Sequence, residues 1–176
     1  MHGTDQTPII ETRRLILRAP RPADASRIVE LVDYDVARMT LRMPWPYAPA
    51  DAEGFITQVA MQDRRRDNTF AIELENEGLV GVLGFFPTPE AQLEVGYWLG
   101  RPYWGRGLAS EALMGALTWA SRDWRKRMVV AGHFADNPAS GRVLCKAGFL
   151  YTGVVDTKLS RARGEPADTR MMVWLA

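Results

Sequence analysis

Between Leu93 and Leu113 the chain reads LEVGYWLGRPYWGRGLASEAL, and this stretch constrains the fold more than any other. LEVGYWL mixes branched and aromatic residues as a β-strand does. Gly100, Gly105 and Gly107 then crowd one turn, and an alanine-rich helical pattern runs from Gly107 to about Arg122. In such a turn successive amides point to one side, and the first N–H groups of the helix have no partner within it. Together with the helix dipole they make an anion site, and glycine keeps Cβ out of the way of a close-packed phosphate. The stretch therefore predicts a pyrophosphate-sized anion at Trp104, Gly105, Arg106, Gly107, Leu108 and Ala109. The same glycines would also suit a turn that only lets strand and helix pack.

Around this centre the hydrophobic periods alternate between strand and helix. RLILRAP is strand-like, Asp24 opens a helical pattern through Val32, and the prolines of MPWPYAP exclude regular structure there. Asp51 reads as the cap of a second helix. TFAIELE and GLVGVLGFF form a hairpin about Asn76-Glu77-Gly78, and MVVAGHF is the strand after the long helix. NPASGRVLCKAG is a short helix, and FLYTGVV and RMMVWL close the chain as strands about an Arg/Gly/Pro loop. This mixture predicts one α/β domain over residues 12–176, with helices on both faces of a mixed sheet, after a polar, mobile segment 1–11.

Length and charge exclude several classes. The 176 residues suit one domain, and a formal charge of +1 gives no overall field to recruit nucleic acid or a membrane. No apolar run is long enough to span a bilayer. A single cysteine, Cys145, excludes an internal disulfide and fits a reducing cytoplasm; its apolar helical neighbours predict a buried, inert thiol. A homodimer is compatible with all of this.

Two nucleotide motifs fail. A dinucleotide fingerprint needs a third glycine where Ser110 stands, and a P-loop needs a lysine followed by Ser or Thr after its second glycine. Instead, EVGYWLGRPYWGRGLASEAL followed by NPASGRVLCKAGF resembles the GNAT acyl-CoA N-acyltransferases. The opening ETRRLILRAPRPADA is similar to their RimJ/RimL-like branch, which acetylates ribosomal proteins. The resemblance runs from about Glu11 to Trp174. It implies a single GNAT domain with a mostly antiparallel sheet, whose splayed middle strands form an acyl-CoA cleft. It also implies acetyl-CoA as co-substrate, with backbone groups of Tyr97, Trp98 and Leu99 bonding the pantetheine arm and Asn137 touching it. Trp104 departs from the family's Gln or Arg, leaving Arg106 or the amides to supply that phosphate contact.

Transfer of an acetyl group to an amine needs a proton acceptor, donors for the oxyanion and a proton or positive field for the thiolate, and no metal. Glu94, beginning the splayed strand, is the candidate base, and a strand-edge carboxylate paired with arginine is the alternative. His133 has a suitable ordinary pKa but fits an apolar strand as a packing residue. The family's usual leaving-group tyrosine is replaced by Leu144. The resemblance assigns that work to Ser140, in a first helical turn that Asn137 caps ahead of Pro138.

For the acceptor, Trp45 and Tyr47 are candidates for an apolar wall. Segments 38–49 and 161–170 carry arginines and few carboxylates, which disfavours polycations. The expected acceptor is a peptide N-terminus or a small amino compound. An antibiotic or polyamine acetyltransferase, or a non-catalytic acyl-CoA-binding protein on the same fold, is the alternative.

Overall fold

The computed structural model describes residues 6–176. Its strands are β1 (Ile10–Glu11), β2 (Leu15–Arg18), β3 (Asn68–Leu74), β4 (Gly78–Pro87), β5 (Leu93–Leu99), β6 (Met128–Phe134), β7 (Leu150–Ser160) and β8 (Glu165–Leu175). The helices are α1 (Ala25–Leu31), α2 (Tyr34–Ala37), α3 (Pro49–Ala60), α4 (Leu108–Arg122) and α5 (Pro138–Lys146). All eight strands join one sheet in the order β1-β2-β3-β4-β5-β6-β8-β7. Every neighbouring pair is antiparallel except β5 and β6, which are parallel.

The layers follow from the alternation of side chains along β4. Phe85 faces α4, where Trp119 packs on Phe85 and edge-on to Phe70, with Trp124 stacked on Trp119 at 5.1 Å between centroids. Its neighbour Phe86 faces the opposite side. There α1 packs against β4 and α3 against α1. α4 buries Leu108, Ala112, Leu113, Ala116, Leu117 and Ala120, a single stripe at helical spacing. Small alanines let the helix lie close to the sheet, and leucines fill the gaps.

Local details correct the sequence reading at several points. Ile10 and Glu11 pair with Leu17 and Ile16, so the mobile segment expected over 1–11 does not reach them; residues 1–5 lie outside the described residues. Asp24 begins α1 without capping it by side chain. Its carboxylate instead takes both terminal nitrogens of Arg18, at 2.8 and 2.9 Å, and the Arg21 N–H. Asp51 lies inside α3 and accepts the Ala48 N–H at 2.8 Å, because the helix begins at Pro49, with its cap at Ala48 three residues earlier than expected. Cys145 is exposed, on the outer side of α5. β7 and β8 run longer than FLYTGVV and RMMVWL, and the loop between them shrinks to residues 161–164. Among the described residues no helix is long and apolar enough to cross a membrane.

Candidate active site

The two parallel strands share a single bridge, Glu94 with Val130. Beyond it β5 keeps its whole ladder with β4, from Pro87–Leu93 to Gly81–Leu99, and β6 keeps its ladder with β8. The sheet therefore opens into a V between Val95–Leu99 and Ala131–Phe134. The β4–β5 register has no shift at Gly96, which sits opposite Gly84, so the divergence needs no bulge there.

Ladder alternation decides which backbone groups face this gap. The Gly100 N–H bonds the Val80 carbonyl at 2.9 Å, which turns Trp98, Gly96 and Glu94 toward β4. The Trp98 carbonyl lies directly against Gly81. Its backbone is thus unavailable to an arm in the gap, contrary to expectation. Tyr97 and Leu99 do turn their backbone to the gap, together with Val95, which the sequence reading missed. The Leu99 carbonyl is already taken by the indole N–H of Trp104 at 2.7 Å.

The Trp104 indole is thereby tied to the end of β5, while Trp104 still lines the cleft. Beyond it, Gly105 and Gly107 adopt left-handed φ values of 71° and 74°. Gly107 is the N-cap of α4 and has no side chain to satisfy the amides of the first turn. The first intrahelical bond is Glu111 N–H to the Gly107 carbonyl at 3.1 Å, leaving the N–H groups of Leu108, Ala109 and Ser110 for an anion. Arg106 turns toward Glu77 at 3.7 Å, with its guanidinium near the Tyr103 ring. The cation beside Gly107 is Arg14, whose Nη1 donates to the Arg106 carbonyl at 3.0 Å. Glu111 holds Arg14 in place and also accepts from Thr12. Burial pushes the Glu111 carboxyl up, but these donors outweigh it and hold the group below its ordinary value. Arg14 stands far from the motif in sequence, so no local pattern announces it.

Across the gap, Asn137 caps α5 by accepting the Ser140 N–H at 3.3 Å, as its position before Pro138 predicts. Ser140 lies 2.9 Å from the hydroxyl of Tyr97. α5 reaches this close because residue 141 is glycine: a Cβ there would come within 2.8 Å of both His133 Nε2 and the Tyr151 hydroxyl. Leu144 is buried in the core. His133 is fully engaged. Its Nδ1 donates to the Phe134 carbonyl at 2.8 Å, which leaves Nε2 to accept from Tyr151 at 2.9 Å.

The faces of the V carry different groups. Glu94 and Phe86 lie directly across the β4–β5 ladder and share one side; Val95 and Tyr97 share the other with α5. The Glu94–Val130 pairing places His133 on the α5 side, away from Glu94. Glu94 is buried, with Lys158 Nζ 3.5 Å from its carboxylate, so its partner is a lysine from β7 in place of the expected arginine. On the Glu94 side Arg42 covers Phe86 at 4.2 Å, and Arg163 covers Phe134 at 4.5 Å while bound to Asp136. Tyr47 lines this wall, its phenol pushed up to about 12 by burial and by the charge of Asp51. Trp45 does not line it; it packs against Tyr34. A continuous cleft of about 830 Å³ joins the glycine turn, the V and both sets of side chains.

Known proteins match this chain in sequence and in fold. Over 168 residues the chain is 29% identical to an uncharacterized N-acetyltransferase, YoaA, of Bacillus subtilis (strain 168), covering 93% of this chain and 94% of that one. It is 31% identical over 97 residues to the ribosomal-protein-serine acetyltransferase of Escherichia coli (strain K12), covering 54% of each. In three dimensions it superposes on RimL, a ribosomal L7/L12 alpha-N-protein acetyltransferase in complex with coenzyme A. The TM-score is 0.81 at 23% identity, over 96% of this chain and 98% of that one. Residues 14–150 match the acetyltransferase (GNAT) domain, so the open strand pair and its glycine turn belong to a member of the GNAT acetyltransferase family.

Proposed function

We propose that the protein transfers the acetyl group of acetyl-CoA to a primary amine by direct attack within a ternary complex. The acceptor is a peptide N-terminus or a small amino compound with at most one positive charge. One observation carries this reading: Glu94 and the Tyr97–Ser140 pair lie on opposite faces of the same gap. A thioester held in the gap then meets a proton acceptor on one face and a hydroxyl on the other.

The pyrophosphate would lie on the amides of Leu108, Ala109 and Ser110, and the pantetheine arm against the backbone of Val95, Tyr97 and Leu99. An alkylammonium of pKa about 10 is no nucleophile, so the amine must first lose a proton. Glu94 would take it, directly or through one water. The nitrogen adds to the carbonyl, and the gap-facing N–H groups meet the oxyanion. As the C–S bond breaks, the sulfur departs toward Ser140, in the first turn of α5, where the helix dipole favours negative charge. Lys158 already sits against Glu94, and Arg42 and Arg163 flank the same wall. An acceptor with several positive charges would be repelled there. The ribosomal-protein acetyltransferases among the relatives support a peptide acceptor.

Thiol release from acetyl-CoA, measured across peptides beginning with Ser, Ala or Thr, small amines, polyamines and an aminoglycoside, tests the reading. Turnover of peptides or singly charged amines is expected, falling roughly 10²-fold in Glu94→Gln. Turnover of the polycations alone would overturn the acceptor assignment. Tight acetyl-CoA binding without turnover of any amine would leave an acyl-CoA-binding protein instead of an enzyme.

A further inference from the structure

The hydroxyl of Tyr97 lies 2.9 Å from Ser140 Oγ and 3.2 Å from the Ser140 carbonyl oxygen. Both acceptors belong to one residue, so a single phenolic hydrogen can serve either without any heavy atom moving. When it is given to the carbonyl, the Tyr97 oxygen accepts the hydrogen of Ser140. When it is given to Oγ, the Ser140 hydrogen is released to point elsewhere. We infer that Tyr97 is a positioning residue that turns the Ser140 hydroxyl toward the departing sulfur by donating its own hydrogen to Ser140 Oγ. This rests on the acetyl-transfer reading of the cleft.

Two further facts define what Tyr97 does. Burial pushes its phenol far above the ordinary value, and the hydrogen bond with Ser140 only partly offsets this. The phenol thus stays protonated throughout the working range, always able to donate and unfit to lose its proton to the sulfur. Its neighbours on the α5 side do not compete: His133 and Tyr151 are bonded to each other. The step therefore balances without a tyrosinate. The C–S bond breaks, its electron pair stays on sulfur, and the thiolate accepts a hydrogen bond from Ser140. The proton that finally neutralises it is the one the amine released, carried by solvent. The Leu144 position, where the resemblance would put a phenol on α5, is thereby answered from the facing strand.

The test uses free coenzyme A, so it needs no acceptor. The thiolate absorbs in the ultraviolet, and its titration can be followed in the bound complex for the wild type, Tyr97→Phe, Ser140→Ala and the double variant, with calorimetry recording affinity. A thiolate that accepts a hydrogen bond titrates lower. The bound thiol is expected to titrate below free coenzyme A in the wild type and about one unit higher in Tyr97→Phe, a tenfold change in the ionisation constant. Ser140→Ala, which removes the donor itself, should raise it at least as much, and the double variant no more than Ser140→Ala alone. In turnover, Tyr97→Phe should lower kcat roughly tenfold with KM for acetyl-CoA unchanged. An unshifted bound-thiol titration in Tyr97→Phe, with normal affinity, would overturn the inference alone. Additive shifts in the double variant would overturn it too, since Tyr97 would then act independently of Ser140. Failure of the wild type to bind coenzyme A would overturn the acetyl-transfer reading and this inference together.

Discussion

The indole N–H of Trp104 donates to the carbonyl of Leu99 at 2.7 Å, closing the corner through which β5 passes into the glycine turn. The side chain is thus part of the scaffold that shapes the turn. Trp104→Phe keeps an aromatic ring and removes the donor. It should cost about 1 kcal/mol of stability and lower coenzyme A affinity about fivefold, by loosening the turn that presents the amides. Thermal unfolding and calorimetry measure the two effects. A larger loss of affinity with unchanged stability would show that Trp104 touches the ligand itself.

Gly107 starts α4 with a left-handed φ of 74°, a conformation that a β-branched residue resists, and Arg14 Nη2 lies 3.6 Å from where its Cβ would stand. Gly107→Val should destabilise the fold by roughly 1–2 kcal/mol and reduce coenzyme A affinity at least tenfold. Unchanged affinity in a folded variant would remove the turn from the binding site.

Ser140→Ala should lower kcat roughly 10²-fold while KM for acetyl-CoA moves little, because help to the departing sulfur matters mainly in the transition state. Steady-state kinetics with a peptide acceptor separates the two parameters. If KM alone rose, Ser140 would be a contact of the ground state.

The cluster of buried Arg18 and Asp24 with half-buried Glu73 makes stability depend on acid. Burial raises the Asp24 carboxyl, but hydrogen bonds from Arg18 and Arg21 and the nearby positive charges outweigh it, so its pKa is depressed in the folded state. A depressed carboxyl stabilises the fold above its unfolded pKa of about 3.9, and that stabilisation is lost as the pH falls through the folded value. Denaturant unfolding should therefore show stability falling below about pH 4. Asp24→Asn should lose about 3 kcal/mol at neutral pH and show a shallower fall in acid.

Much of the fold is legible locally because its signals are local. The β3–β4 hairpin announces itself at Asn76-Glu77-Gly78, α5 at Asn137-Pro138, and α4 by its apolar stripe. The glycine turn is legible too, since a left-handed φ leaves few residues to choose from. The contacts that tune the site are not. Arg14 and Lys158 reach Gly107 and Glu94 across the sheet order, and no spacing along the chain encodes such neighbours. Trp98 eludes the sequence for a simpler reason: backbone direction alternates along a strand, and register is known only once the partner strand is placed. Tyr97 stands out in the sequence for its backbone, whereas its side chain makes the bond to Ser140. Cys145 follows an apolar pattern too short to distinguish the inner from the outer side of a nine-residue helix.

The V between β5 and β6 divides the sheet into two leaves that share one rung and one core. Beneath that shared core, polar clasps cross the opening in place of a ladder: Tyr97 to Ser140, Lys158 to Glu94, the Ser160 hydroxyl to the Thr40 carbonyl at 3.1 Å, Arg163 Nε to the Arg38 carbonyl at 2.6 Å, and the Arg161 N–H to the Leu41 carbonyl at 2.9 Å. Three of these fasten the β7–β8 turn to the loop between α2 and α3. A change at Ser160 or Arg163 is therefore expected to alter coenzyme A affinity from the far rim, without touching a reacting atom.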